Sequence, residues 1–285
     1  MANTIGWGQG SVNNTIGWGK APTNNTIGYG SVESWSPETN LTGSSETPYV
    51  NEYSFNFDGV DDYVETSTTY SELDGQNNFT FSFWVKPTNL NNTTVVFSIG
   101  NGNADYRAQQ FYVYITTTGQ IFFYLGTMSF SCRSNNSAIS SNQWHHVLIC
   151  RDHNEAIGSK AKIFVNSVDV TNNDSTRYWS NTNATTSLYI GEHTNVYLNP
   201  FLGNIDEFAI YSGTDLRNNV ATIYNNGVPN NLNDNGLTVP TTWYRMGENS
   251  TWNGREWNPI QDVQGSNNAL GINMAEENRQ ADVPT

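Results

Sequence analysis

The chain has 285 residues, 36% hydrophobic and 13% charged, with 12 Lys and Arg against 26 Asp and Glu and a formal net charge of −14. That balance, with no Lys/Arg cluster, excludes a phosphate-backbone partner and makes an anionic membrane surface unattractive. Forty-two Asn and 24 Gly favour turns over helix interiors, and 13% aromatics supply core bulk, so the composition predicts a folded, loop-rich β protein.

The first predicted elements are three copies of one phrase, NTIGWG at 3–8, NTIGWG at 14–19 and NTIGYG at 25–30, spaced 11 residues apart. In an extended chain Ile5 and Trp7, Ile16 and Trp18, and Ile27 and Tyr29 each share one face, with the glycines opposite. Each hexapeptide reads as a short strand with an adhesive face, and three such strands cannot enclose a core alone. Residues 1–50 are therefore expected to be an arm and linker that becomes ordered by assembly, rather than a floppy tail. The opening residues have neither a basic n-region nor an apolar h-region, which predicts no secretory signal. Nor does any apolar run reach the ~20 residues of a membrane helix.

From residue 51 the texture changes. YSFNFDG, DYVET, FTFSFWVKP, TVVFSIG, QQFYVYITT, QIFFYLGT, WHHVLICRD, AKIFVNSVDV, TSLYIGE and IDEFAIYSG follow in turn, bounded by Gly, Asn or Asp. Such short strands at regular intervals predict an antiparallel sandwich. In 79–85, Phe79, Phe81, Phe83 and Val85 share one face against Thr80, Ser82 and Trp84. Thr-Thr-Gly-Gln at 117–120 marks a hairpin. One helix is expected from Thr214 or Asp215 to about Asn225, with Leu216, Val220, Ile223 and Tyr224 on one stripe and Asn226-Gly227 closing it. It should pack across the end of the sandwich. Cys132 and Cys150 read as buried free thiols.

FNFDGVDDYVE, FTFSFWVKP, QWHHVLICRD, KIFVNSVDV, LYIGE and GNIDEFAIYSGTDLRNNVATIYNNGVP, in that order over roughly 51–232, resemble the concanavalin A-like jelly roll of laminin-G type. The resemblance implies two antiparallel sheets with Trp84, Trp144 and Phe208 as core aromatics. The NTIGWG repeats and the closing stretch WYRMGENSTWNG to NMAEENRQADVPT resemble tailed-bacteriophage structural proteins that carry such a domain. Residues 233–285 would then be an extension packed on the sandwich, ordered by Trp243, Trp252 and Trp257.

The fold family implies a structural calcium between Asp58 and Asp206, with Asn56, Gly59 or Asp61 adding oxygens; the alternative is that Asp58 caps a turn and Asp206 bonds a loop backbone. No other cofactor is required. Catalysis is not expected, because the jelly-roll hydrolase motif Glu-X-Asp-X-X-Glu has only Glu72 and Asp74 here, with Asn77 in the last place. His145 and His146 are adjacent in a strand and face opposite ways, while His153 and His193 lack ligands at metal spacing. Tyr106, Tyr112, Tyr178, Trp179 and Tyr197, in polar loops or strand ends, are candidate glycan contacts.

The reading reached is a non-enzymatic virion protein, assembled in the bacterial cytoplasm, displayed as a capsid decoration, head fibre or tail appendage, and anchored by its repeats. The resemblance implies a homotrimer that contacts other virion proteins. A lectin-like module binding a host-surface glycan is the alternative.

Overall fold

The computed structural model describes residues 6–7, 28–29, 49–66, 69–73, 76–100, 109–125, 130–156, 159–176, 186–192, 198–265 and 267–285. The chain divides into two compact units, Met1–Tyr49 and Val50–Thr285. In the first, Gly6–Trp7 pairs in parallel with Gly28–Tyr29, so that Trp7 lies opposite Tyr29 and the first repeat meets the third. Ile5, Ile16, Trp18 and Ile27 lie outside the described residues, as do the side chains of Trp7 and Tyr29.

The second unit is an all-β sandwich of two antiparallel sheets with one short helix. One sheet has eight strands. Seven run in spatial order Val168–Asp169, Ala161–Val165, His145–Arg151, Phe79–Pro87, Leu202–Ser212, Ser54–Asp58 and Arg279–Gln280, and Thr242–Tyr244 also pairs with Leu202–Ser212. The other has ten, ordered Thr171–Thr176, Phe130–Ser134, Ile121–Leu125, Gln109–Ile115, Thr94–Gly100, Leu188–Ile190, Tyr63–Thr66, Ala269–Ile272, Trp257–Ile260 and Ser250–Trp252. Period-two alternation explains the core between them. Phe79, Phe81, Phe83 and Val85 meet Phe97, Phe111, Val113 and Phe123, all buried. Edge-on contacts such as Phe79–Phe111 (5.4 Å, 84°) and Phe97–Phe208 (5.0 Å, 75°) add a geometric preference to the area buried.

Three expectations are revised. The helix spans only Val220–Tyr224, because the residues before it are tied elsewhere: Leu216 N–H donates to Thr80 Oγ1, and the Arg217 side chain bonds Asp215 and the carbonyls of Ser159 and Lys160. It lies on the outer face of the eight-stranded sheet rather than at its end, with Tyr224 against Trp84 (5.9 Å). Phe208 belongs to the central core, but Trp84 is buried under that helix and outside the core, and Trp144 is half-buried with its indole N–H donating to Asp282. Finally, 233–285 does not overlie the sandwich. It supplies strands to both sheets, and Trp257 is fully buried within the core.

Candidate functional site

The hairpin Gln109–Ile115 to Ile121–Leu125 builds the most distinctive surface. Its turn is closed by Gly119 N–H to Thr116 carbonyl (2.9 Å) and Thr116 N–H to Gln120 carbonyl (2.9 Å). Phe111, Val113, Ile115, Ile121 and Phe123 point into the core, so Tyr112, Tyr114, Phe122 and Tyr124 stand on the outer face. The register sets Tyr112 opposite Tyr124 and Tyr114 opposite Phe122. The four rings are nearly parallel: Tyr112–Tyr124 are 4.9 Å apart at 5° and Tyr114–Phe122 5.0 Å at 4°. Tyr114–Tyr124 close the array at 5.9 Å and 13°. Burial, and then the neighbouring Tyr124, push the Tyr114 phenol well above its ordinary range, so its hydroxyl stays a neutral polar tip on an apolar sheet face.

Across the same face the register runs from Tyr112 to Ser98, then Tyr189, then Glu65. Tyr63 and Tyr189 lie 6.0 Å apart there. Burial raises the Glu192 carboxyl, and Asp61 and Glu65 add to the effect. The face is therefore aromatic at its middle and acidic toward Tyr63–Thr66. Of the expected glycan contacts, Tyr112 belongs to this array, while Tyr106, Tyr178, Trp179 and Tyr197 lie outside the described residues. Tyr114, Phe122 and Tyr124 were the residues not anticipated. The 117–120 turn could have revealed them, since it fixes which residues of the two strands meet.

Asp58 and Asp206 do not share an ion. Asp58 pairs with Leu202, four residues from Asp206 along one strand, a separation of about 13 Å. Asp58 Oδ1 instead accepts Val60 N–H (2.7 Å) and Asp61 N–H (3.3 Å), and Asp62 Oδ2 accepts Asp58 N–H (3.0 Å). This is the turn-capping arrangement. Asp206 sits within 4.8 Å of Glu207 and Glu248, oxygen to oxygen. Burial, then Glu207, raise its carboxyl well above the usual range. Asn51 donates to Asp206 (2.9 Å), Arg245 to Glu207 (3.1 Å), and the N–H groups of Glu52 and Tyr53 to Glu248 Oε1 (2.5 and 2.7 Å). Glu248 Oε2 and Asn51 Oδ1 are buried without a partner. The three carboxylates with the Asn51 amide oxygen are the donor set a hard cation takes, so these residues fit calcium, while Asp58 groups separately with Asp61 and Asp62.

Other candidates are absorbed by structure. His146 is buried, bonds Ser82 Oγ through Nε2 (2.9 Å), and burial pulls its pKa down to about 3. His145 Nε2 accepts Ser140 N–H (3.1 Å). His153 Nδ1 meets Arg151 (3.3 Å), and His193 lies outside the described residues. Glu72 is in a loop, where its carboxylate meets Asn267 Nδ2 (3.4 Å) and its carbonyl accepts Ser212 Oγ; Asp74 lies outside the described residues. Cys132 and Cys150 are both buried thiols outside any disulfide. No helix among the described residues is long and apolar enough to cross a membrane.

No curated protein matches this chain in sequence. Among solved structures, a provisionally assigned carbohydrate-binding protein from Bacteroides ovatus superposes with a TM-score of 0.57 at 16% identity, covering 83% of this chain and 62% of its own. This chain thus spans less than two thirds of that relative. The CBM40 of Ruminococcus gnavus IT-sialidase, bound to α2,3-sialyllactose, gives 0.49 at 15% identity and covers 60% and 95% of the two chains. Mouse laminin α1 domains LG4–5 give 0.41 at 12%, covering 56% and 41%. The family model described as the concanavalin A-like lectin/glucanases superfamily, laminin-G type, matches residues 58–215, more than half of the chain. With the two-sheet sandwich in place around those residues, the chain belongs to that superfamily.

Proposed function

We propose that this chain is a non-catalytic, lectin-like glycan-binding protein that takes sugar on the outer face of its ten-stranded sheet. The observation that carries this reading is the array of Tyr112, Tyr114, Phe122 and Tyr124, four nearly parallel rings on the outer sheet face, Tyr112 buried there and the other three half-buried. The rings stack on one another, so a pyranose would rest its apolar face on the outermost ring face and the ring edges of the array while the phenol hydroxyls and nearby polar groups bond its hydroxyls. The fold family supports it, and the loop position of Glu72 supports a site without a hydrolytic carboxylate pair. A glycan array followed by calorimetry tests it. Tyr114→Ala and Tyr124→Ala are each expected to weaken the best ligand about tenfold while the melting transition stays cooperative. Retained affinity in both variants would refute this face as the site.

A second reading, a bacteriophage virion appendage anchored by its repeats and assembled with its own copies in the bacterial cytoplasm, draws support from one observation. The first and third repeats pair in parallel and in register, Gly6 with Gly28 and Trp7 with Tyr29. Near-identical phrases that pair within a chain can also pair between chains, which supports assembly through the repeats; the homotrimer is what the resemblance implies. Sedimentation of the full chain beside its Trp7→Ala, Trp18→Ala, Tyr29→Ala triple variant tests this. An oligomer that falls to monomer supports the repeats as the assembly device; equal masses refute it. Both readings are compatible in one molecule. A structural calcium, if bound, would be held by Asp206, Glu207, Glu248 and Asn51 and would fasten Val50–Tyr53 to the sheet.

A further inference from the structure

We propose that the sugar bound on the aromatic face carries a carboxylate, and that Arg133 reads it; this rests on the glycan-binding reading above. Cys132 points into the core, so its neighbour Arg133 points outward with the rings. Its register partner is Phe122, which in turn faces Tyr114. Adjacent strands lie about 4.8 Å apart, so the guanidinium stands at the border of the ring array.

Three observations make that placement informative. Arg133 is the single Lys or Arg in the ten strands of this sheet. The basic residues in the strands of the opposite sheet are all engaged: Lys86 with Asp282 (2.6 Å), Lys162 with Asp169 (3.0 Å), Arg151 with the Asn77 carbonyl, and Arg279 over Tyr53 (4.7 Å) and Trp257 (5.3 Å). Arg133 is exposed and, among the described residues, has no hydrogen-bond or ion-pair partner. Of the strands around it, Phe130–Ser134, Ile121–Leu125 and Gln109–Ile115 contain no Asp or Glu, and the flanking Thr171–Thr176 sets Asn173 opposite Arg133 and Asp174 opposite Cys132. Glu65 lies five strands away, about 24 Å.

In a chain of net charge −14, an unpaired guanidinium beside four rings is a local site for an anion. Its planar fork matches a carboxylate with two parallel N–H···O bonds, while the rings take the sugar's apolar face. Hexuronates and sialic acids both present that combination, and neutral sugars engage only the rings.

The test measures binding of the full chain to two matched pairs, trigalacturonate against galactotriose and sialylated lactose against lactose. The wild type is expected to favour the acidic member of one pair by about tenfold or more, and the pair that shows the preference identifies the source. Arg133→Gln should erase the preference and leave neutral binding unchanged, and Arg133→Lys should restore part of it. Equal affinity within both pairs, or a preference that survives Arg133→Gln, would overturn this inference while the glycan-binding reading stands. If no probe binds, acidic or neutral, and the Tyr114 and Tyr124 variants behave as wild type, both fall together.

Discussion

Glu207 has φ +49, in the left-handed region, at a register irregularity between Asp206 and Ala209. Without that bulge, strict alternation from Ile205 would carry Glu207 into the core; with it, Phe208 takes the inward place and Asp206 and Glu207 stay outward together. Two consecutive carboxylates are thus buried side by side, with Glu248 as a third. Burial raises both Asp206 and Glu248, so the folded state keeps protons that the unfolded chain releases above about pH 3.9. Their contribution is fully present below the unfolded-state value and is lost as pH rises through the folded-state values. In metal-free buffer the urea midpoint is expected to fall from pH 4 toward pH 8, and Asp206→Asn should flatten that slope. Calcium at 100 times its dissociation constant should return about 2.7 kcal/mol at pH 8 in the wild type and less in the variant. A wild-type slope identical to that of Asp206→Asn would count against this cluster as the titrating element.

The site-bearing element is a hairpin whose geometry depends on one glycine. Gly119 has φ +68, and a Cβ there would lie 2.2 Å from the Ile139 carbonyl oxygen. That carbonyl's residue also donates its N–H to the Gly119 carbonyl (3.0 Å), so backbone meets backbone with no room to yield. Gly119→Ala is expected to cost about 2–3 kcal/mol, read as a lowered urea midpoint, and to weaken glycan binding because the register of Tyr112 with Tyr124 depends on the turn. An unchanged midpoint would show that the turn tolerates a side chain. The turn was legible in Thr-Thr-Gly-Gln, and so was the alternation on either side. The helix was legible only in part. Leu216, Val220, Ile223 and Tyr224 do form an apolar stripe, but the Leu216 N–H goes to Thr80 Oγ1 and the Arg217 N–H to Asp215 Oδ1, and the helix itself begins only at Val220.

For the whole molecule, the two sheets close only because the last fifty residues return to them. Ala269–Ile272 pairs with Tyr63–Thr66, Thr242–Tyr244 with Leu202–Ser212, and Arg279–Gln280 with Ser54–Asp58. These strands have two to four residues, and Trp257–Ile260 includes a proline, so no local periodicity announces them. The alternating pattern of this sequence by itself determined the sandwich, the inward rows such as Phe79, Phe81 and Phe83, and the acidity that leaves Arg133 conspicuous. Period-two patterning is local, and a strand half-buried on a sheet needs nothing more. Only the tertiary structure decided that Asp58 and Asp206 serve different clusters, that Tyr112, Tyr114, Phe122 and Tyr124 form one array, and that Arg133 borders it. Those facts depend on register and bulges between strands distant in sequence, and a shift of one residue in register turns every side chain to the opposite face.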